Sequence, residues 1–568
     1  MKVLIVGGVA GGASAAARLR RLNEDAEIII FERSSHISYA NCGLPYYVGG
    51  VIENEDDLTL ATPGSFNSRF NITARVRQEV IAIDPEAKKV SVKKLDDGSV
   101  YEESYDKLIL SPGAVPAIPK LPGADLPELF TLRTVEDTLR MREYCVSNKP
   151  KTATVVGGGY IGIEIAENLR HLGVEVTIIQ RPLQLLRTLD TDMAELIHSE
   201  MRKNGVNLML GSSVSGFEKT ENGIKTLIKD NEPVLSDMVI LAIGVVPDTK
   251  LAKDAGLALG AKDSILVNEY METSKPDIYA VGDAVTVTHF VAKAPVLIAL
   301  AGPANKQGRI AADNICGIKS TYKGTQGTSI IKVFSLTCAT TGLCCAGAER
   351  AELDFEYVLL TPNSHAGYYP GAKSMTMKVI FEKNTGRLLG AAIIGKEGVD
   401  KRIDVLATAI RAGLSGADLA ELELAYAPPF SSAKDPVNMA GFIIENVLSG
   451  IVSQFDTETL EALPRDGSVF LLDVRTDCEY EQGHVDGFVN LPVDNLRERI
   501  SEIPKDKPVY VMCHSGIRSY IACRILTANG VEAYNYAGGW GYYSRIRGKI
   551  NPLSQRITCA AEKGLSIS

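Results

Sequence analysis

A cysteine followed by glycine, leucine and proline is the clearest sign of chemistry in this sequence. Cys42 precedes Gly43, Leu44 and Pro45, and a proline at this distance is typical of the first turn of a helix. A free thiol titrates near about 8.5, and the positive end of a helix lowers that value and favours the thiolate. The segment therefore predicts a nucleophile suited to disulfide exchange, the alternative being a buried, inert thiol.

A second cysteine, Cys513, opens a loop that leads from an apolar strand into a helix. The loop reads Cys513-His514-Ser515-Gly516-Ile517-Arg518. Successive backbone N–H groups and Arg518 would form an anion cradle that stabilises a thiolate or a persulfide on the cysteine. Phosphatases use a similar loop, but Met512 stands where they have histidine. The loop therefore favours sulfur transfer, the alternative being an inactive docking module.

The elements that must position Cys42 begin with a nucleotide-binding pattern at the N-terminus. The strand Lys2 to Val6 leads into a glycine-rich turn and a helix, and the next strand ends at Glu32. Such a turn lets a pyrophosphate approach N–H groups at the positive helix end, and the carboxylate accepts the ribose hydroxyls. Val9 departs from the usual pattern, which has glycine there. The predicted contacts are Gly7, Gly8, Ala10, Gly11, Gly12, Glu32 and Arg33.

A second copy of the pattern follows residue 152 with the full glycine spacing. Its second strand ends in Gln180 and Arg181 rather than in an acid. A carboxylate would repel the 2'-phosphate of NADPH, whereas an arginine could attract it, so the choice between NADH and NADPH stays open. The predicted contacts are Gly157, Gly159, Tyr160, Ile161, Gly162, Glu164 and Gln180.

Three shorter motifs resemble those of flavoproteins with two dinucleotide-binding domains. Residues 276–284 resemble the segment whose aspartate binds the ribityl hydroxyls of FAD, and 111–114 and 242–248 resemble the crossovers between the FAD and NAD domains. Their order implies an NAD(P) domain inserted into the FAD domain. The resemblance adds as cofactor contacts Ser111, Pro112, Gly113, Gly244, Gly282, Asp283 and Ala301.

Together with residues 38–47, these motifs resemble the single-cysteine branch of the flavoprotein disulfide reductases, which includes coenzyme A-disulfide reductase, NADH oxidase and NADH peroxidase. No second cysteine lies at CxxxxC spacing, so Cys42 must cycle through a mixed disulfide, persulfide or sulfenic acid. Residues 365–371 and 426–430 resemble the dimerisation domain of coenzyme A-disulfide reductases. The resemblance implies a homodimer in which Tyr368 and Tyr426 reach the reactive cysteine of the partner subunit.

A coenzyme A site is predicted on the first helix. Ser14, Arg18 and Arg21 share one helix face, which could hold the phosphates of coenzyme A, the alternative being an ordinary solvated face. The resemblance adds Ser38, Asn41 and Lys434 to the expected contacts.

The C-terminal region resembles a rhodanese domain in four segments, which lie at 470–475, 483–492, 508–513 and 537–540. The chain is thus predicted to be α/β, with two Rossmann-like domains, an α+β dimerisation domain and a C-terminal α/β rhodanese domain. The predicted boundaries are 1–115 and 266–325 for the FAD domain, 116–265 for the NAD(P) domain, 326–450 for dimerisation and 453–550 for rhodanese.

Composition narrows the function classes. The 568 residues are 45% hydrophobic and 23% charged, close to the average for globular proteins, and the net charge of -9 argues against nucleic-acid binding. No signal peptide and no membrane-spanning run is recognised, and ten cysteines without paired spacing indicate reduced thiols in the cytoplasm. No metal site is expected. The cysteines left without a role are Cys145, Cys316, Cys338, Cys344, Cys345, Cys478, Cys523 and Cys559, with Cys344 and Cys345 interpreted as two packed thiols.

The hypothesis is an FAD- and NAD(P)H-dependent reductase that acts through Cys42 on coenzyme A persulfide, polysulfide or coenzyme A disulfide and releases coenzyme A or hydrogen sulfide. Cys513 would exchange sulfane sulfur with the shuttling thiol. Two alternatives stay open. One is an NADH oxidase or peroxidase with a Cys42 sulfenic acid, and the other is a redox sensor or sulfur carrier whose Cys513 only binds a partner.

Overall fold

A computed structural model describes residues 1–547, which divide into two compact units. The first unit comprises Met1–Leu186 and Arg202–Gly327, and the second comprises Arg187–Met201 and the chain from Thr328 onward. Residues 548–550 of the predicted rhodanese domain and Cys559 lie outside the described residues.

The first unit contains two parallel sheets of five strands each. Their strands are continuous apolar runs such as Val3-Leu4-Ile5, which is fully buried, because helices cover both faces of such a sheet. In spatial order the first sheet contains Ile278–Ala280, Lys107–Leu110, Lys2–Val6, Glu27–Glu32 and Thr73–Val76, and the second contains Val206–Leu210, Glu175–Gln180, Thr152–Val156, Met238–Leu241 and Leu129–Phe130.

Smaller sheets and seven α-helices complete the described part of the first unit. Two three-stranded meanders are formed by Gln78–Asp84, Lys89–Lys94 and Val100–Ser104, and by Val214–Thr220, Gly223–Ile228 and Asn231–Ser236. Ala114–Pro116 pairs with Val245–Pro247, and Ile265–Leu266, Val285–Thr288 and Pro295–Val296 form the last small sheet. The helices are Ala10–Leu22, Leu44–Val48, Pro63–Phe70, Val135–Asn148, Tyr160–His171, Lys250–Asp254 and Ala301–Ile315.

An antiparallel sheet of five strands begins the second unit, in the spatial order Ser329–Val333, Leu336–Gly342, Leu388–Gly395, Met375–Glu382 and Phe355–Leu360. Every residue of Leu388–Gly395 is buried, which places this strand in the core of the unit. The helices here are Cys345–Arg350, Val399–Ala412, Gly416–Glu421 and Pro436–Leu448, and Thr191–Lys203 belongs to this unit as far as Met201.

The remainder of the second unit is a parallel α/β region. Its sheet has the order Ser453–Phe455, Ala533–Tyr536, Val509–Met512, Phe470–Asp473 and Val489–Asn490. The helices are Thr457–Ala462, Asp477–Glu481, Val493–Leu496, Ile517–Ala528 and Gly539–Ile546. Two hydrogen bonds join this region to the antiparallel sheet region: the Tyr357 hydroxyl donates to Asp456 at 3.2 Å, and the Thr361 hydroxyl donates to the Ser515 carbonyl at 3.4 Å.

The predicted fold class is confirmed, because the chain has two parallel nucleotide-type sheets, an antiparallel α+β region and a C-terminal parallel α/β region. The predicted boundaries between the five segments stay predictions. Within residues 1–547, no helix combines the length and the apolar character that crossing a bilayer requires.

Candidate active sites

A cavity of about 1400 Å³ in the first unit brings together residues from distant motifs. Cys42 is the one cysteine among its described lining residues. The lining includes most of the residues predicted to hold the first cofactor, together with three of those predicted to contact coenzyme A: Gly7, Ala10, Gly11, Glu32, Arg33, Ser111, Pro112, Gly113, Gly282, Asp283 and Ala301, with Ser14, Ser38 and Asn41.

The glycine turn at one wall of this cavity leaves no room for side chains. Gly7 has a φ of +95°, and a Cβ there would lie 2.1 Å from the Ser111 carbonyl oxygen, while a Cβ on Gly12 would lie 1.9 Å from the Gly7 oxygen. Glu32, at the end of the neighbouring strand, accepts hydrogen bonds from the N–H groups of Gly8 and Ser34, both at 2.9 Å. A bare backbone turn at a helix start, beside a fixed carboxylate, fits the adenosine pyrophosphate of FAD.

Arg133 connects the two ends of the predicted flavin site and was missed by sequence reasoning. Its Nη2 donates to Asp283 at 2.8 Å, and its Nε donates to the Ala114 carbonyl at 3.0 Å. The Asn41 amide, oriented by these partners, donates to the Arg133 carbonyl at 3.1 Å and accepts from Nη1 at 2.7 Å. Only the capping box that starts at Thr134 marks this position in the sequence, and it indicates a helix start rather than a site.

Cys42 is exposed and lies in the short 3-10 segment Asn41–Gly43, which continues into the helix Leu44–Val48 with Pro45 in its first turn. The predicted helix start is thus present, but the expected lowering of the thiol pKa is wrong. Desolvation by the surrounding protein, together with Glu164 and Asp283, raises the pKa of Cys42, and Arg133 opposes them. The helix is only five residues long, so its dipole is a small effect beside two carboxylates.

The second glycine turn repeats the geometry of the first. Gly157 has a φ of +114°, and a Cβ there would lie 2.2 Å from the Ala242 oxygen. Gln180 accepts the Gly158 N–H at 2.9 Å, the contact that Glu32 makes with Gly8 in the first turn. A neutral amide therefore stands where the first site has a carboxylate. Gly159 precedes the helix Tyr160–His171, which also contains Ile161, Gly162 and Glu164, and Gly244 has a φ of +119° with open space around it.

Glu164 links the second nucleotide motif to the cysteine segment. The Tyr46 hydroxyl donates to Glu164 Oε1 at 3.2 Å. Burial raises the pKa of Glu164 to about 7, although the hydrogen bond from Tyr46 lowers it. This carboxyl is therefore able to exchange a proton near neutral pH, close enough to influence the Cys42 thiol.

Two side chains of the helix face predicted to bind coenzyme A contact other residues of the protein instead. Arg18 forms an ion pair with Asp313 at 2.7 Å, and Ser14 donates to Asn305 at 2.9 Å. Arg21 is exposed, while Ser38 lines the cavity and has a left-handed backbone with a φ of 48°. Lys434, in the second unit, is also exposed. The assignment of these five residues and Asn41 to coenzyme A stays a prediction.

The two tyrosines predicted to assist Cys42 are neighbours in the second unit. The hydroxyls of Tyr368 and Tyr426 lie 2.9 Å apart, and the residues are 75% and 46% exposed. Their mutual hydrogen bond raises the pKa of Tyr368. Exposed aromatic rings in such number are unusual on a monomer surface, and the set comprises Tyr368, Tyr369, Tyr426 and Phe430.

Cys513 is fully buried at the base of its loop, with two donors directed at its sulfur. The Gly516 N–H lies 3.0 Å and the Ser519 hydroxyl 3.2 Å from Sγ. Ser519 is also fully buried and was missed by the sequence interpretation, which ended the loop at Arg518. Two donors on a buried sulfur are the arrangement that stabilises a thiolate or a persulfide.

Arg518 is close enough to Cys513 for their charges to interact, but its terminal N–H groups bind Glu479. Nη1 and Nη2 each donate to Glu479 at 2.7 Å. Burial raises the pKa of Glu479, but the hydrogen bonds and charge of Arg518 prevail and lower it to about 2. The guanidinium therefore supplies positive charge near the loop as half of an ion pair, and its predicted role at the sulfur stays a prediction.

Cys344 and Cys345 are both free thiols, as the sequence interpretation favoured. Burial raises the pKa of both, so neither is activated for thiolate chemistry.

The chain matches three family models, which together span most of its length. Residues 1–308 match pyridine nucleotide-disulphide oxidoreductase, 328–436 match its dimerisation domain, and 456–545 match the rhodanese-like domain. Coenzyme A disulfide reductase from Staphylococcus haemolyticus (strain JCSC1435) is 38% identical over 442 residues, which cover 78% of this chain and 98% of that protein.

Two solved structures cover nearly the whole chain. Reduced Bacillus anthracis CoADR-RHD is 47% identical, with a TM-score of 0.94, covering 96% of this chain and 98% of the other. A NAD-dependent persulfide reductase from A. fulgidus is 35% identical, with a TM-score of 0.90, covering 96% and 100%. The chain therefore belongs to the pyridine nucleotide-disulphide oxidoreductase family, whose enzymes use FAD and NAD(P)H, and carries a rhodanese-like domain at its C-terminal end.

Proposed function

We propose that this enzyme uses NAD(P)H to reduce the sulfur–sulfur bond of coenzyme A persulfide, polysulfide or coenzyme A disulfide, with Cys42 as nucleophile and Cys513 as sulfur carrier. The observation that carries the proposal is the lone exposed Cys42 on the wall of the nucleotide-type cavity. The similarity to a coenzyme A disulfide reductase and a persulfide reductase supports this substrate class. An oxidase or peroxidase is not better supported.

At the proposed Cys42 site, one set of residues would hold the cofactor and Cys42 itself would react with the substrate. Gly7 to Gly12, Glu32, Arg133 and Asp283 are the groups that would hold FAD, which when bound passes the two electrons of NAD(P)H to sulfur. The Cys42 thiolate attacks one sulfur of the substrate, and the S–S bond of the substrate breaks. The other sulfur leaves as hydrosulfide or coenzyme A thiolate and takes up a proton. Two electrons and a proton then cleave the new bond to Cys42 and regenerate its thiolate.

Sulfur transfer at Cys513 needs no external electrons. Its thiolate attacks the outer sulfur of a persulfide, the donor S–S bond breaks, and the donor thiol departs as a thiolate. Gly516 N–H and Ser519 Oγ–H stabilise the charge on the Cys513 sulfur before attack and after return. An acceptor thiolate such as that of coenzyme A then removes the outer sulfur and restores Cys513.

The proposed assembly is a homodimer in the cytoplasm that binds small sulfur compounds and neither nucleic acid nor membrane. The exposed aromatic set Tyr368, Tyr369, Tyr426 and Phe430 supports a second copy of the chain as the partner, because it lies in the dimerisation region. Tyr368 and Tyr426 would donate hydrogen bonds to the thiolate that leaves Cys42 of the partner subunit.

Anaerobic NADH oxidation against coenzyme A persulfide, polysulfide and coenzyme A disulfide tests the function. We expect turnover with at least one of them, and a loss on the order of 10³-fold or more in Cys42→Ser. The matched control is Cys316→Ser, a half-buried thiol of the same unit, which should keep wild-type rates. Rapid oxygen or peroxide consumption without a thiol requirement, in place of this turnover, would establish the oxidase or peroxidase instead.

A further inference from the structure

A buried arginine in the dimerisation region contacts both tyrosine loops. Arg402, in the helix Val399–Ala412, is 1% exposed. Its Nη2 donates to the Ser364 carbonyl at 2.8 Å, the Ser431 hydroxyl at 3.2 Å and Asp435 Oδ2 at 3.0 Å. Its Nη1 donates to the Gly398 carbonyl at 3.1 Å. A charge this deeply buried requires such complete pairing.

The partners of this arginine begin and end the loops that carry the tyrosine pair. Ser364 opens the loop that leads to Tyr368, and Ser431 closes the loop that follows Tyr426. The two loops are also joined directly, because the Ala366 N–H donates to the Ser431 carbonyl at 3.0 Å. One guanidinium therefore fixes the distance between the two loop backbones.

Asp435 extends the same network to the predicted coenzyme A contact. It accepts the Ser431 hydroxyl at 2.6 Å and caps the helix Pro436–Leu448 through the Val437 N–H at 3.0 Å. Burial raises the pKa of Asp435, but its hydrogen bonds and Arg402 prevail and lower it, so the carboxylate is ionised. Lys434 directly precedes Asp435 in the chain, so the capped helix start also fixes its backbone.

The space around Arg402 fits the planar guanidinium group closely. A Cβ on Gly398 would lie 2.2 Å from Nη1, so only glycine fits there. A lysine keeps the charge but presents one nitrogen in place of the separated Nε, Nη1 and Nη2 donors. It therefore cannot bind the Gly398 carbonyl and Asp435 Oδ1, which Nη1 and Nε contact, together with the three partners of Nη2.

We propose that Arg402 is a positioning residue for the reaction at Cys42, acting through Ser431 and Asp435 to hold the Tyr368 and Tyr426 hydroxyls at their 2.9 Å spacing. The inference rests on the proposed function, because it assigns the tyrosine pair to the leaving thiolate. An ordinary core ion pair would stabilise the fold without affecting these hydroxyls in particular.

Kinetics of Arg402→Lys and Ser431→Ala test the inference in the full-length holoenzyme. We expect Arg402→Lys, Ser431→Ala and Tyr426→Phe each to lower kcat for coenzyme A disulfide on the order of 10-fold, with KM for NADH and NADH-dependent ferricyanide reduction unchanged. The double variant Ser431→Ala/Tyr426→Phe should be no slower than Tyr426→Phe alone. The matched control Arg387→Lys, which alters a partly exposed ion pair with Glu382, should keep wild-type kcat.

The proposal would be overturned if the decreases in kcat of the two single variants multiplied in the double variant. It would also be overturned if Ser431→Ala kept the wild-type kcat while Tyr426→Phe was slow. Amide hydrogen exchange tests whether Arg402 and Ser431 hold the two tyrosine loops, and it does so independently of enzyme activity. In Ser431→Ala the segments 364–371 and 426–431 should exchange faster together, while the strand Met375–Glu382 keeps its protection. Faster exchange in one segment alone, or in neither, refutes the positioning role. Absence of disulfide turnover in the wild type with both segments responding would refute only the proposed function.

Discussion

Arg133 is the cationic side chain that opposes the groups raising the pKa of the Cys42 thiol. Desolvation, Glu164 and Asp283 all act in the upward direction. Because Arg133 also forms an ion pair with Asp283 at 2.8 Å, it both adds positive charge and offsets one of the two acids. The reactivity of Cys42 therefore depends on a residue far from it in sequence.

Replacing Arg133 by methionine should move the reactivity of Cys42 to higher pH. The variant removes the one cation that lowers this pKa and leaves Asp283 without its ion-pair partner, so both changes disfavour the thiolate. The measurement is the pH dependence of iodoacetamide alkylation at Cys42, read by peptide mass spectrometry. Arg140→Met, in the helix that follows, is the control and should leave the profile in place. An unchanged or downward-shifted profile in Arg133→Met would contradict this account.

Glu164 should make the stability of the first unit depend on pH. Burial raises its pKa to about 7 from the usual 4.5, so the folded state favours the protonated acid. Its contribution is fully present below about pH 4.5 and is lost as the pH rises through 7. Glu164→Gln should therefore gain on the order of 2 kcal/mol over the wild type at pH 8, but little at pH 4.5. Thermal denaturation at both pH values measures this, and the exposed Glu143→Gln should show no such difference.

At the level of elements, local sequence patterns predicted the strands, turns and helices that contiguous residues form. The two glycine turns and the strand that ends at Glu32 follow from a sequence pattern because the turn, the strand and the helix are contiguous. The Cys513 loop was found for the same reason. The pairing of Tyr368 with Tyr426 was predicted only through the family resemblance. Nothing in the sequence of either loop indicates that the two hydroxyls lie 2.9 Å apart.

Long-range pairing accounts for what the sequence did not reveal. Arg133 and Arg402 contact partners from distant segments, and no spacing rule connects these residues in the sequence. Arg518 was expected to face the Cys513 sulfur, but Glu479 binds both of its terminal nitrogens. Glu479 is fixed there by the capping box of the helix Asp477–Glu481, a short element that the sequence interpretation left undescribed.

Lys378 provides a test of how the elements of the second unit are held together. It is 3% exposed, contacts Asp190 at 3.1 Å and Asp192 at 2.8 Å, and lies 4.3 Å from the Tyr357 ring centre. Lys378→Met would leave two largely buried carboxylates without their cation. We expect the free energy of unfolding to fall by about 3 kcal/mol.

The single tryptophan, Trp540, reports the unfolding of the second unit through its fluorescence during urea denaturation. Lys383→Met is the matched control, because Lys383 pairs with Asp354 at 3.5 Å on the surface and should contribute less than about 1 kcal/mol. Equal urea midpoints for the two variants would show that the buried cluster does not hold the unit together.

On the scale of the whole molecule, the rhodanese-like region is part of the second unit rather than a loosely tethered module. The hydrogen bonds from Tyr357 to Asp456 and from Thr361 to Ser515 attach it to the antiparallel sheet region, and the second of these reaches the Cys513 loop. Under the proposed function, a sulfur carrier on the same chain would raise the effective concentration of sulfur-exchange sites around a shuttling thiol.

Assembly is the property of the whole molecule on which the proposed reaction depends most directly. Phe430 is 71% exposed beside the tyrosine pair, and an aspartate there would have to be desolvated if a second copy covers this surface. Phe430→Asp should therefore halve the mass measured by light scattering and lower coenzyme A disulfide turnover at least on the order of 100-fold, since Cys42 then lacks the tyrosines of the partner subunit. NADH-dependent ferricyanide reduction should persist. Leu183→Asp, a similarly exposed apolar position in the first unit, should stay dimeric. A Phe430→Asp monomer with wild-type disulfide turnover would show that each chain completes its own site.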